Sequence, residues 1–314
     1  MSDIETVVTT TSSESIRCTY LSSKFIHIFD QYASEKLKKE RTKGQYWYVV
    51  CSICNEAKCD FLDITPKQVT EYFSYLMPNT TLKSTNYNLS VLRALSRYLD
   101  ENADRYQLEP KFLSLFSEIK VEFPDMEFRV EDLPSLKNID TILSYYKRNG
   151  DMVGFLACSL VLRTALTTNE MVLLDRKMFF QDANGNYGVR FPISNYAYRF
   201  IKIPDDVAAL ITQYTSQRID DNPSLFLNKK GKKISARALQ NRLHEACLAC
   251  EIPPFTYNDL RTLSQAILIK DGAPLDKVAE HTNIKKLDWF FRYNRVVKEL
   301  EDSAVDYAHI KVLW

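Results

Sequence analysis

Fifteen residues in the second half of the chain, Asn228 to Arg242, read NKKGKKISARALQNR and hold six cations and no acid. The cations are Lys229, Lys230, Lys232, Lys233, Arg237 and Arg242. Four lysines around one glycine make a basic turn suited to phosphate. Ser235 stands where it would cap a helix bearing Arg237 and Arg242, which aims a helix N-terminus at the same place. A second cluster, Lys36, Lys38, Lys39, Arg41 and Lys43, is broken only by Glu40, and reads equally well as a solvated face. The net charge is only +1, so attraction for a polyanion has to come from the distribution of charge. Seven cysteines, an odd number, argue for free thiols in a reducing compartment. Cys51/Cys54 and Cys247/Cys250 have CxxC spacing, and His244 lies three residues before Cys247. Both pairs sit in helix-periodic segments without a Gly-rich knuckle, so they read as core and not as metal ligands. No metal, cofactor or small-molecule substrate is expected.

The elements that position these residues are mostly helices. A chain of 314 residues can bury two cores. Residues 1–19 read as a flexible tail, Ser/Thr-rich and without the apolar block of a signal peptide. No apolar run is long enough for a bilayer, so a cytoplasmic protein is expected. Helices are predicted from Tyr20 to Glu35, Thr42 to Ala57, Thr65 onward and Ser84 to Asn102. The third opens with Thr65-Pro66-Lys67-Gln68, a capping threonine, a first-turn proline and a glutamine that closes a capping box. This helical domain closes near Ile119, and Glu122 to Pro134, with two prolines, reads as a linker. Beyond it come helices at Asn138 to Tyr146 and Val153 to Leu166. Short strands then follow at Lys177 to Phe180, Tyr187 to Pro192 and Tyr198 to Ile203, with a turn at Asp182-Ala183-Asn184-Gly185. Helices return from Val207. The fold class is mainly α with a small antiparallel sheet.

Near the C-terminus, Asn258-Asp259-Leu260-Arg261 is followed by His281 and by Tyr293 in the phrase WFFRYNR. This resembles the catalytic box of the tyrosine recombinase (phage integrase) family: His-x-x-Arg, a second His some twenty residues on, then the tyrosine that attacks the scissile phosphate. The resemblance runs over residues 20 to 300. DFLDITPKQVTEYFSYL and STNYNLSVLRALSRYL look like the family's SAM-like core-binding domain, here residues 20–121. Residues 135–314 look like its catalytic domain. Fold resemblance does not give function, so each position is compared separately.

The family's chemistry uses two arginines on the phosphate, a lysine for the leaving oxygen, two His-type donors and the tyrosine. Its first arginine lies in a phrase that corresponds to Thr164-Ala165-Leu166-Thr167-Thr168-Asn169-Glu170, which puts Thr167 at the arginine position. The lysine position falls at Ser194 to Tyr196, where there is none. The first His is Asn258. Arg261 is retained, His281 lies close to the last His position, and Tyr293 comes three residues later than usual. Arg163, expected one helical turn before Thr167, and Lys202, down the third strand, are the candidate substitutes.

No catalytic residue is therefore expected; Arg261, His281 and Tyr293 read as family remnants. The resemblance implies two domains that clamp double-stranded DNA, mostly through phosphates. The expected contacts are Lys43, Lys83, Thr85 and Asn86, the basic residues Lys229, Lys230, Lys232, Lys233, Arg237 and Arg242, and Asn258 with Arg261. The function it points to is a sequence-specific DNA-binding regulator without strand cleavage, a phage or prophage transcriptional repressor. Some temperate phages of Bacillus use a recombinase-fold protein as their lysogeny repressor. The alternatives are an active divergent recombinase or integrase that uses Arg163 and Lys202, and an accessory architectural protein. The segment after Tyr293, apolar at Val296, Val297, Leu300, Val305, Tyr307, Ile310, Val312, Leu313 and Trp314, either mediates self-association or folds back on its own domain.

Overall fold

The capping box read at Thr65 is present: its hydroxyl accepts from the Gln68 N–H while Gln68 accepts from the Thr65 N–H. It opens one of several helices in a computed structural model that describes residues 18–121, 127–194 and 197–302. The chain divides into two units, Met1–Asp125 and Met126–Trp314. No helix among the described residues is long and apolar enough to cross a membrane.

The first unit is helical. Helices α1 (Ser23–Lys36), α2 (Glu40–Ala57), α3 (Pro66–Asn79), α4 (Leu82–Glu101) and the short α5 (Ala103–Tyr106) turn apolar stripes toward one core. Phe25, Val50, Val69, Leu92 and Leu95 lie at its centre. Cys51 and Cys54 are fully buried within it, as a small apolar residue would be.

The second unit is built around α7 (Met152–Thr164), which is buried from Gly154 to Leu162. A helix apolar on every side has to be central. Gly154 lets α6 (Leu136–Arg148) approach it, since a Cβ there would lie 2.4 Å from Cε1 of Tyr146. Helix α8 (Thr168–Leu173) leads into an antiparallel sheet, β1 (Phe179–Gln181), β2 (Tyr187–Ser194) and β3 (Ala197–Lys202), in that order. The register pairs Val189 with Ile201 and Phe191 with Arg199. All four are buried, while Arg190, Tyr198, Phe200 and Lys202 lie on the solvent face. The Arg190 guanidinium sits 5.3–5.6 Å from the Phe180, Tyr198 and Phe200 rings. Helices α9 (Asp205–Ser216), α10 (Ala236–Ala249), α11 (Tyr257–Lys270), α12 (Leu275–Thr282) and α13 (Asn294–Glu301) complete the unit.

Two local readings change, and a third is narrowed. The helix expected to reach Leu166 stops at Thr164, because Ala165 takes a left-handed conformation, φ +52°, and ends it. Arg163 is therefore not a helical turn before Thr167; it ion-pairs with Asp206 at 3.5 Å. Residues 127–134, read as linker, are built into the second unit: the Phe128 N–H donates to the Arg292 carbonyl at 2.7 Å, and the Val130 N–H to Glu299. Helix α13 folds back on its own unit, with Val296 and Leu300 buried, while residues 303–314 of the predicted association segment lie outside the described residues.

Candidate nucleic-acid interface

The basic turn is rigidly made and its charges are free. Asn228 Oδ1 accepts from the N–H groups of Lys230 and Lys232 at 2.9 and 3.1 Å. The Asn228 N–H donates to the Lys232 carbonyl at 2.8 Å. Gly231 takes φ +70°, which closes the turn where a side chain would be strained. Asn222 Nδ2 donates to the Gly231 carbonyl at 3.0 Å and fixes the turn from outside. The side chains of Lys229, Lys230, Lys232 and Lys233 are exposed. Ser235 then caps α10 by accepting from the Ala238 N–H, and Arg237 stands exposed in the first turn. Ordered backbone beneath lysines that pair with no acid among the described residues would offer a phosphate several charges without a folding cost on binding.

Arg242 departs from the expected set. Its guanidinium ion-pairs with Asp151, the residue that caps α7, and its carbonyl accepts from the Tyr146 hydroxyl. Its charge is thus engaged with the start of α7, and its backbone with α6. Thr85 also departs: it is fully buried, bonded to Thr80 Oγ1 at 2.9 Å and to the Thr81 carbonyl at 3.3 Å. Helix periodicity puts it on the core face of α4: two positions beyond Lys83 is about 200° around the axis, on the opposite side. Lys83 is exposed and Asn86 half-buried, while Lys43 pairs with Glu40 at 2.6 Å on the surface of α2. Cys247 is buried on the core face of α10, Cys250 is half-buried and His244 is exposed.

The box residues converge on the junction between α7 and α8. Arg261, one turn into α11, donates from Nε to the Ala165 carbonyl at 2.9 Å and from Nη2 to the Thr282 carbonyl at 2.8 Å. Two of its donor groups thus tie three helix ends together. Burial pulls its pKa below the ordinary value. The His281 imidazole, in the last turn of α12, is hydrogen-bonded to the Thr164 carbonyl, and burial lowers its pKa from the usual 6.5. Its neutral form is the one the site holds at neutral pH. Asn258 is exposed at the start of the same helix as Arg261.

Thr167, at the expected arginine position, does a different job. It caps α8 in a capping box, accepting from the Glu170 N–H while Glu170 Oε2 accepts from the Thr167 N–H at 2.8 Å. The other oxygen of Glu170 ion-pairs with Arg199 of β3. Sequence reading missed Arg199. The signal was the alternation in Tyr198-Arg199-Phe200-Ile201-Lys202, which puts Arg199 on the face of Ile201. Lys202, the candidate substitute, lies on the opposite face with Tyr198 and Phe200 and turns away from the box. Residues 195 and 196, where the lysine position falls, lie outside the described residues.

Tyr293 ends a 3-10 helix, Leu287–Tyr293, and is 2 % exposed. Its ring meets Phe128 edge-on at 4.9 Å and lies 5.9 Å from Phe290. Its hydroxyl donates to Gln265 Oε1, which is itself buried. Burial pushes the phenol up to about 12, against the opposing pull of Arg261 and Arg292. A nucleophile is activated by a lowered pKa or an adjacent base, and this hydroxyl has neither. Arg292 lies between the Phe128 and Trp289 rings, 4.5 and 4.3 Å from their centres.

Residues 135–299 match the model of the phage integrase family. No curated protein matches the chain in sequence. Among solved structures, XerH site-specific recombinase bound to difH substrate in a pre-cleavage complex is 14% identical with a TM-score of 0.65, over 92% of this chain and 90% of that one. A lambda integrase dimer bound to a COC′ core site is also 14% identical at TM-score 0.65, over 92% and 96% of the two chains. The Tn1549 transposon integrase in complex with transposon right end DNA is 13% identical at TM-score 0.65, over 89% and 99%. At these identities the likeness is one of fold.

Proposed function

The chain belongs to the phage integrase family, and from that premise we propose that it binds duplex DNA at a specific sequence without cutting it, as a transcriptional repressor of a phage or prophage. The observation that carries the reading is Tyr293: its hydroxyl is buried, engaged by Gln265 and held far from its ionised form. Thr167 gives the phosphate no charge where the family resemblance expects an arginine, and its hydroxyl is committed to the cap of α8. A lost oxyanion donor costs roughly two to three orders of magnitude in rate, and a missing general acid roughly two to four. What the site retains is affinity for phosphate, in Arg261 and in the exposed lysine turn. The XerH, lambda and Tn1549 structures are complexes with DNA, which supports a DNA ligand for this fold. A protein that grips a site and leaves it intact acts by excluding or organising other proteins there.

The test has two parts. A nicked suicide substrate traps a covalent phosphotyrosyl adduct from any active recombinase, and none is expected. Mapping of bound sites across the host genome should place the protein at promoters. Adduct formation would establish a divergent recombinase, the reading favoured by the convergence of Arg261, His281 and Tyr293. Occupancy confined to recombination sites would establish an accessory architectural role.

A further inference from the structure

Arg199 is the most deeply buried arginine among the described residues, 6% exposed. One of its nitrogens pairs with Glu170; Nε and Nη1 are buried and find no hydrogen-bond acceptor among the described residues. Buried donors on a cation are costly to leave unmet, because the lost hydration is replaced by nothing. Its neighbours do not explain it away. Phe191, across the strand register, offers a ring face 5.4 Å from the guanidinium carbon and no acceptor in the plane. Glu170 gives its second oxygen to Thr167. The fold therefore holds a cation with spare donors at the same helix junction that Arg261 and His281 reach. Helix α12, which carries His281, packs on β3, which carries Arg199. The charge of Arg199 acts on both Arg261 and His281 and lowers the pKa of each, which places Arg199 within electrostatic range of both.

We propose that Arg199 is a phosphate-binding residue of this chain, contributed from β3 and anchored by Glu170, which holds one DNA phosphodiester together with Arg261 where Thr167 provides no charge. The inference rests on the DNA-binding reading above and goes beyond it by naming a cation on a strand position that the box does not include. A phosphodiester supplies what the site lacks, a single negative charge spread over two non-bridging acceptor oxygens. Lysine at 199 would not serve as well, since one ammonium cannot keep Glu170 and present a separate fork of donors to phosphate.

The experiment uses the full chain and a duplex selected by it from a random-sequence pool, with each phosphate in turn replaced by a neutral methylphosphonate. Wild type should show one position at which neutralisation lowers affinity about tenfold or more, the effect of losing a charged hydrogen-bonded contact. In R199Q the same replacement should cost at least about threefold less than in wild type, the remainder being the contact with Arg261, while positions read by the lysine turn keep their penalties. Where R199Q melts below the assay temperature, R199K, which keeps the charge, is read instead and should reduce the penalty at that position alone. An unchanged phosphate profile in whichever variant folds overturns the proposal, as does a wild-type profile with no such position. If wild type binds no duplex from the pool, the DNA-binding reading itself fails, an outcome distinct from a flat profile.

Discussion

The lysine turn and the buried arginine pocket are both cationic, yet they are made in opposite ways. In the turn, Asn228 and Gly231 order the backbone and leave four lysines in water. In the pocket, Arg261 and Arg199 are drawn from solvent, and one nitrogen of Arg199 and two of Arg261 are spent on Glu170, Ala165 and Thr282. Charge in water acts on phosphate at a distance, is screened by salt and costs the fold little. Charge under the surface acts at one place, is hardly screened, and is part of the structure that holds it. The difference separates affinity from register: the turn should attract any duplex, and the pocket should fix where one phosphate sits.

The largest effect should come from the turn. Replacing Lys229, Lys230, Lys232 and Lys233 by Ala should leave the melting temperature unchanged. The log–log salt dependence of DNA binding, expected near a slope of roughly −5 for about six phosphate contacts, should flatten by roughly 3 to 4. Specific and random duplexes should weaken alike. A filter-binding or anisotropy series over salt reads this directly, and an unchanged slope would remove the turn from the interface.

Arg261→Ala comes next and should behave differently. It removes hydrogen bonds to two carbonyls, so the domain should lose about 2–3 kcal/mol in denaturant unfolding, and affinity should fall by more than the unfolded fraction explains. Arg261→Lys should recover part of both. If Arg261→Ala weakens all duplexes equally and costs no stability, the pocket is only another surface charge and the contrast with the turn disappears.

The unequal legibility of the two regions follows from the same physics. The turn is local: five residues and their charges are adjacent in the sequence, and Gly231 and Ser235 mark its geometry. Element types were legible for similar reasons, from the Thr65 capping box to the strand alternation at Tyr187 and Tyr198. The pocket is assembled from α7, α8, β3, α11 and α12, and no spacing rule joins Arg199 to Arg261. Arg163 was a reasonable substitute for an unbroken helix, but Ala165 breaks it, and propensity gives no warning of a non-glycine residue in the left-handed region. The ion pair of Arg242 and the burial of Thr85 were not legible because charge and polarity do not say which side of a helix is occupied by a partner such as Asp151 or Thr80.

Tyr293→Phe should have a smaller and purely structural effect. Loss of the buried hydroxyl strands Gln265, whose Nε2 already finds no partner among the described residues. Unfolding should become easier by about 1–2 kcal/mol, with DNA affinity and repression retained under conditions where the variant is folded. Loss of biological activity in a folded, DNA-binding Tyr293→Phe protein would show that the hydroxyl acts as a nucleophile.

Ala165→Gly should raise stability by a fraction of that amount. A left-handed alanine costs roughly 1–2 kcal/mol; glycine relieves that strain but loses part of the benefit to the greater freedom of its unfolded chain, so a net gain of about 0.5–1 kcal/mol is expected. The Ala165 carbonyl would still accept from Arg261 Nε, so binding should not change. A loss of stability would mean that the methyl group packs favourably enough to outweigh the strain.

The smallest effect is one of pH, and it distinguishes the buried pocket from the exposed turn because only the pocket holds a desolvated imidazole. His281 faces the Thr164 carbonyl and lies within range of Arg199 and Glu170; burial, with the charge of Arg199 added, lowers its pKa from 6.5. In the unfolded chain it takes up a proton as pH falls through about 6.5, while in the folded chain it resists until lower pH. The unfolded state thus binds more protons across that interval, and stability must fall as pH is lowered through it, then level off below the folded pKa. Above about 7 both states are neutral at this site and no slope remains. His281→Gln should remove this component of the pH profile and leave the salt slope of DNA binding, which belongs to the lysines, as it was. If wild type and His281→Gln lose stability in parallel between pH 7 and 5, the imidazole is solvated and the pocket is more open than its burial implies.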